Sequence, residues 1–118
     1  MDFKKLANQY RDELLDNVLP FWLEHSQDIE FGGYFSCLDR EGKVFDTDKF
    51  IWLQGREVWM FSMLYNKVEK RQEWLDCAVQ GGEFLKKYGH DGNYNWYFSL
   101  DRSGRPLVEP YNIFSYTF

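Results

Sequence analysis

The chain has 118 residues, of which 44% are hydrophobic and 20% aromatic, so it can bury the core of one folded domain. The net charge is −5 and the basic residues are scattered among acidic ones, which argues against nucleic acid as a partner. Cys37 and Cys77 lack the spacing of a zinc or thiol-exchange motif, and we expect two reduced, mostly buried thiols. No segment resembles a signal peptide or a membrane span, which predicts a cytoplasmic protein with no membrane partner.

Three stretches of the chain carry apolar residues at helical spacing. The first covers residues 3–25, and Pro20 should bend or interrupt it because proline lacks an N–H. The second, residues 49–66, has non-polar side chains on nearly every face, which predicts a helix buried on all sides. The third, residues 71–88, carries one apolar stripe and predicts an outer helix that Gly89 ends as a C-cap.

The stripe of the third helix indicates which of its residues pack inward. The periodicity selects Leu75, Ala78, Val79, Gly82 and Leu85. The glycines Gly81 and Gly82 lie in the middle of this helix and should allow close packing, since they lack the frame of a nucleotide-binding loop.

An internal repeat organises the chain. Residues 34–43 are echoed by residues 97–105, with Cys37 as the one inserted residue, and the pattern predicts a short β-hairpin or a loop in each copy. The repeat places residues 111–118 where residues 49–56 stand in the first unit, so the chain should end as a second inner helix begins.

Helix pairs that hide an apolar face on one another must cap their ends or close into a ring. We therefore predict an all-α fold: three helices and the start of a fourth, with short β-hairpin loops, forming the N-terminal part of one incomplete (α/α)6 toroid over residues 1–118.

The second helix carries the candidate chemistry. Four of its side chains fall at offsets of three, four and three, which predicts one shared face: Lys49, Trp52, Arg56 and Trp59. Two interpretations are open: Arg56 forms an ion pair with a carboxylate of a neighbouring helix, or it grips the oxygens of a sugar that stacks on the indoles. Glu57 points about a hundred degrees away and is expected to be an outer partner and not a base.

Several motifs in order resemble the N-acylglucosamine 2-epimerase family. Residues 49–59, K-F-I-W-L-Q-G-R-E-V-W, are similar to its signature K-x-x-W-L-Q-G-R-x-x-W, and Asp28 with residues 32–35, G-G-Y-F, looks like its upstream loop. Residues 97–106 and 111–115 resemble the next two landmarks, although Tyr116 stands where the family commonly has Asp.

The resemblance implies an (α/α)6 toroid that interconverts N-acetylglucosamine and N-acetylmannosamine by removing and returning the proton at C2. It implies that Arg56 is catalytic and stabilises the enolate. Its pocket residues would be Trp52, Tyr111, Phe114 and Ser115. It implies no metal and no required cofactor, with ATP as an allosteric effector and a homodimer as the full-length assembly.

The two histidines that act as acid and base in this family lie later in the toroid. Neither His25 nor His90 matches them, and we expect surface or capping roles for both. The 118-residue chain alone should therefore be inactive. Two further hypotheses are a non-catalytic protein-binding module of the renin-binding kind, whose apolar faces seek partners, and a cellobiose 2-epimerase or mannose isomerase on the same ring.

Overall fold

The computed structural model describes residues 2–108 and residue 117. Helices dominate the described residues, and one short hairpin follows α2 and another follows α4. The elements are α1 (Phe3–Glu13), a π-helical segment (Leu14–Val18), α2 (Leu19–His25), β1 (Cys37–Leu38), β2 (Val44–Asp46), β3 (Lys49–Phe50), α3 (Ile51–Lys67), α4 (Gln72–Tyr88), β4 (Ser99–Leu100) and β5 (Pro106–Val108). None of the helices in this part of the chain is both long and apolar enough to cross a membrane.

The first helical stretch is present and is interrupted, as predicted. Asp2 caps α1 by accepting the backbone N–H groups of Lys4 and Lys5 at 3.1 Å. Pro20 is the second residue of α2, and the turn before it widens into the π-helical segment. A proline has no N–H to donate and crowds the carbonyl one turn earlier, which accounts for the widening.

The core lies where α2, α3 and α4 meet. Its buried members are Leu19, Tyr34, Phe61, Leu64, Trp74, Cys77 and Ala78. The helix α3 is not buried on all sides, contrary to the sequence-based prediction, because Trp59 and Met63 are 55% and 41% exposed. The described elements cover only part of its surface, so an apolar face of α3 is open.

The buried stripe of α4 is displaced by one position along the chain from the predicted stripe, and Ala78 is common to both. The side that packs inward carries Trp74, Cys77, Ala78, Gly81 and Phe84, whereas Val79 is 54% exposed. Of the glycine pair only Gly81 packs closely, against the ring of Tyr34, whose hydroxyl donates to the Cys77 carbonyl at 2.7 Å.

Both thiols are free, as expected. Cys77 is buried and Cys37 half-buried, and burial raises the pKa of Cys77 to about 12.

Gly89 ends α4, with its N–H donated to the Leu85 carbonyl at 2.8 Å. Its φ of −70° is right-handed, so its role is to leave room for the ring of Trp96 and not to adopt a left-handed cap.

The sequence repeat is a structural repeat. β1 pairs with β2 and β4 with β5, both antiparallel and both with a register shift inside the first strand. Gly42 donates its N–H to the Asp39 carbonyl, and Gly104 donates to Asp101, each at 3.1 Å. The two hairpins therefore turn in the same way.

The inserted residue of the repeat does not lie at Cys37. Strand pairing matches Cys37 with Ser99, so no residue is added within the hairpin. The extra residue lies in the preceding loop: Phe35 donates its N–H to a carbonyl nine positions earlier, whereas Tyr97 donates to one eight positions earlier. Alignment of the two repeat sequences does not reveal this difference, because hydrogen bonds between the strands fix the register.

Candidate functional site

The exposed face of α3 carries the predicted catalytic residue. Trp52 and Arg56 are one helical turn apart and so lie on one side of the helix, with Trp52 half-buried and Arg56 exposed. The Arg56 guanidinium lies 5.6 Å from the centre of the Trp59 ring, a cation–π distance. Arg56, Gly55 and Trp59, together with Thr117, line a cavity of about 220 Å³. A fixed cation therefore faces an open, ring-lined cavity.

Lys49 does not belong to that face. It lies in β3, before the helix begins, and its side chain is fully buried. Its ammonium group donates to Asp28 Oδ2 at 2.9 Å, to the Gly32 carbonyl at 2.6 Å and to the Arg102 carbonyl at 2.8 Å. The prediction of one face for all four motif residues is wrong because β3 pairs with β4 and keeps the chain extended up to Phe50.

Asp28 is the centre of a buried ion cluster. Its carboxylate accepts one hydrogen bond from the Lys49 ammonium group and two from the Arg102 guanidinium, at 3.0 and 3.1 Å. It also accepts hydrogen bonds from the backbone N–H groups of Glu30 and Phe31. Burial alone would raise the pKa of Asp28, but the bonds from Arg102 and Lys49 outweigh it and lower that pKa. Asp28 is therefore a buried anion whose charge is matched by two cations from distant parts of the chain.

Two glutamines hold the loop that follows. The Gln54 amide of α3 accepts the Tyr34 N–H at 2.8 Å and donates to the Tyr34 carbonyl at 2.9 Å. Gln80 of α4 accepts the Gly33 N–H at 2.8 Å and donates to its carbonyl at 3.2 Å. Each amide pairs with the backbone as a neighbouring strand would, so the loop is fixed between α3 and α4.

Glu57 points towards α2, a direction that the sequence did not predict. Its Oε1 lies 2.5 Å from Ser26 Oγ, which also lies 2.6 Å from the Trp22 carbonyl. A serine hydroxyl has one proton, so Ser26 donates either to Glu57 or to the Trp22 carbonyl. Burial raises the pKa of Glu57 to about 7, although the Ser26 hydrogen bond opposes it.

A second cavity, of about 190 Å³, lies between α2, α3 and the first hairpin. Both Arg56 and Glu57 line it, with Ser36 and the apolar side chains Val18, Trp22, Leu53 and Met60. Among the described residues, no group of three or more His, Cys, Asp or Glu side chains is placed to hold a metal ion.

The two histidines have structural surroundings. His90 accepts the Gly92 N–H at Nδ1, 3.0 Å away, and its ring lies 5.1 Å from that of Trp96. His25 packs against the Phe21 ring at 4.9 Å and against the backbone of Gly42. These contacts agree with the predicted surface and capping roles.

The structure brings together part of the predicted site. Trp52 and Arg56 share a side of α3, whereas Tyr111, Phe114 and Ser115 lie outside the described residues. Sequence reasoning missed the ion cluster that anchors Lys49, because its members are 21 and 53 residues apart from Lys49. The only sequence signal was the occurrence of Asp28 and Lys49 in motifs of the same family.

Comparison with known proteins identifies the family. A sequence model described as N-acylglucosamine 2-epimerase (GlcNAc 2-epimerase) matches residues 33–118. The chain is 48% identical over 111 residues to the N-acylglucosamine 2-epimerase of Mus musculus, and 47% identical over 108 residues to that of Homo sapiens. These alignments cover 91% and 88% of the chain but 26% and 25% of the relatives, so the chain spans about a quarter of their length.

A solved structure gives the same result for the fold. The chain superposes on the cellobiose 2-epimerase of Bacillus thermoamylovorans B4167 with a TM-score of 0.79 and 32% identity, covering 89% of the chain and 27% of that structure. The predicted fold class, helices of an incomplete α/α toroid joined by short hairpins, is confirmed by this likeness. The chain belongs to the N-acylglucosamine 2-epimerase family.

Proposed function

We propose that this chain provides the α3 part of the active site of a sugar 2-epimerase acting on N-acetylglucosamine and N-acetylmannosamine. The observation that carries the proposal is the placement of Arg56 beside Trp59 at an open cavity, on a helix whose start is fixed by buried ion pairs. The identity to mammalian N-acylglucosamine 2-epimerases, 48% against 30% to a cellobiose 2-epimerase, favours the N-acyl amino sugar.

In the proposed reaction a base removes the proton at C2 of the open-chain sugar, and the electron pair moves onto the C1 oxygen. An acid then returns a proton to the opposite face of C2, so no net oxidation occurs. Arg56 carries a permanent charge and stabilises the developing oxyanion, while Trp52 stacks on the sugar. The acid and base would come from histidines beyond this chain, and Tyr111, Phe114 and Ser115 would complete the pocket.

The same proposal covers the setting of the protein. It would act in the cytoplasm as a homodimer of a closed toroid, require no metal or cofactor, and respond to ATP only as an effector. The chain alone would lack turnover, because it lacks the acid and base.

The proposal is tested in the longest reading frame that encodes this chain, with N-acetylmannosamine, N-acetylglucosamine, cellobiose and mannose as substrates. We expect turnover of the N-acyl sugars and a loss of about 10²–10³ in kcat for Arg56→Ala, the usual cost of losing an oxyanion donor. The control is Arg40→Ala, an exposed arginine in the first hairpin turn. Preferential turnover of cellobiose or mannose would replace the proposed substrate, and absence of any turnover would favour the protein-binding alternative.

A further inference from the structure

The signature motif divides into two sets of residues by where they point. Lys49 and Gln54 are buried and bind the loop of residues 26–36, called the first loop below. Arg56 instead lines the open cavity, and half-buried Trp52 lies one helical turn before it. Buried residues that hold the loop thus alternate along one short segment with the residues of the candidate site. Anything that shifts the anchors shifts the residues between them.

Lys49 has no donor left for another task. Its three N–H bonds go to three different acceptors, and its ammonium group also lies 4.5 Å from the centre of the Phe84 ring. Buried ion pairs give little net stability, because removing charges from water costs about as much as their attraction returns. A group that is fully bonded yet adds little stability is suited to fixing a geometry.

The geometry that Lys49 fixes is the start of α3. It ties together the first loop, through Asp28 and Gly32, and the second hairpin turn, through the Arg102 carbonyl. The chain then passes through one extended residue into the helix, where the Ile51 N–H donates to the Phe98 carbonyl at 3.0 Å. The first turn of α3 is therefore held against the first loop and the second hairpin.

We propose that Lys49 is a positioning residue for Arg56: its three bonds set the start of α3 and thereby aim the guanidinium at the oxyanion. This inference rests on the proposed function. Arg56 is the sixth residue of α3, about one and a half helical turns from its start, so a small tilt at the start of the helix displaces its guanidinium. A misplacement of about 1 Å can cost about 10²-fold in rate.

The test is a double-mutant cycle in the full-length protein. Lys49→Met, which keeps the length of the side chain but removes its donors, should lower kcat about 10-fold with KM changed less than about twofold. In the Arg56→Ala background the same substitution should cause no further loss, because no guanidinium remains to be aimed. The exposed Lys67→Met is the matched control and should leave kcat unchanged.

A second readout does not depend on turnover. Lys49→Met should speed amide hydrogen exchange in the first two turns of α3 while exchange in the centre of α4 stays unchanged. If Lys49→Met does not fold, Asp28→Asn combined with Lys49→Met removes both buried charges together and should give the same kinetic pattern.

The outcomes separate the two proposals. An active wild type in which Lys49→Met is silent, or lowers kcat by the same factor with and without Arg56, would overturn the positioning role alone. Exchange that rises equally in α3 and α4 would also overturn it, because it reports general destabilisation. A wild type that turns over no sugar would overturn the proposed function and this inference with it.

Discussion

Two loop–hairpin units, residues 26–46 and 89–108, share a backbone pattern but are held in different ways. In both, a glycine turn closes the hairpin and an aspartate begins the loop that precedes it. Asp28 is buried and pairs with cations from elsewhere in the chain. Its counterpart Asp91 is exposed, and the hydrogen bonds it accepts in the described part of the chain come from Asn93 and Asn95 of its own loop. The first loop depends on the rest of the fold, and the second is locally complete.

The difference shows where a repeated unit acquires its role. Hairpin geometry follows from short-range residues and recurs wherever they recur. Burial of a charge requires partners from distant segments, and Asp28 of the first unit has two of them: Lys49 from β3 and Arg102 from the second turn. Both units contact the start of α3, the first through Asp28 and the second through the Phe98 carbonyl, but the buried carboxylate belongs to the first.

The largest expected effect comes from exchanging the two aspartates for asparagine. Asp28→Asn should lower the free energy of unfolding by about 3–5 kcal/mol, because it leaves the buried Lys49 ammonium without its anion. Asp91→Asn should lower the free energy of unfolding far less, since that carboxyl is exposed. Urea unfolding of the two variants measures the difference. Equal shifts for the two variants would show that the buried cluster does not distinguish the units.

A second difference between the units concerns Ser26, whose counterpart is Gly89. Ser26 contacts Glu57, whose pKa burial raises to about 7 from an ordinary value of 4.5. The folded state thus binds the proton more tightly than the unfolded state, so this group's contribution to stability is full below pH 4.5 and is lost as pH rises to about 7. We expect a loss of up to about 3 kcal/mol over that interval.

Glu57→Gln should remove that dependence, because glutamine keeps an amide donor for Ser26 and does not ionise. The check is urea unfolding at several pH values between 4.5 and 8, with the exposed Glu41→Gln as control. A slope that survives in Glu57→Gln would assign the pH dependence to other groups.

The smallest effects should come from the feature that the units share. Gly42 and Gly104 have φ values of 84° and 97°, and each packs against a ring at the end of the preceding helix, His25 or Tyr88. Substitution of either by alanine should cost more than about 1 kcal/mol, and by a similar amount, because a side chain at positive φ is strained.

The control for these glycines lies within α4. Gly82 has open space around it and an ordinary helical conformation, so Gly82→Ala should raise stability by about 0.5–1 kcal/mol. Thermal unfolding of the three variants gives the comparison. A large difference between the two turn variants would show that the hairpins are not equivalent.

Local patterns predicted much of the fold. Apolar periodicity located the helical stretches, and Pro20 marked the interruption of the first. The turn residues predicted both hairpins, since their hydrogen bonds join neighbours in the sequence. The predicted buried stripe of α4 was displaced by one position, because periodicity alone does not distinguish aromatic rings from aliphatic side chains.

The site was harder to predict because its supports are distant in sequence. Helical spacing placed Lys49 with Arg56, yet pairing with β4, some 50 residues away, keeps Lys49 extended and turns it inward. The amide bonds of Gln54 to Tyr34 likewise depend on packing that no local pattern encodes. The motif located the functional segment, but it did not show which of its residues hold the loop and which face the candidate site.

The most direct test of the central claim, that Arg56 on α3 stabilises the enolate of a 2-epimerase, is exchange of the sugar's C2 proton in D2O. Proton NMR of N-acetylmannosamine incubated with the full-length protein should show the C2 proton disappearing as N-acetylglucosamine carrying deuterium at C2 accumulates. Arg56→Ala should slow both changes by about 10²–10³. Wild-type exchange that is unaltered in Arg56→Ala, or epimerisation that retains the C2 proton, would contradict the account.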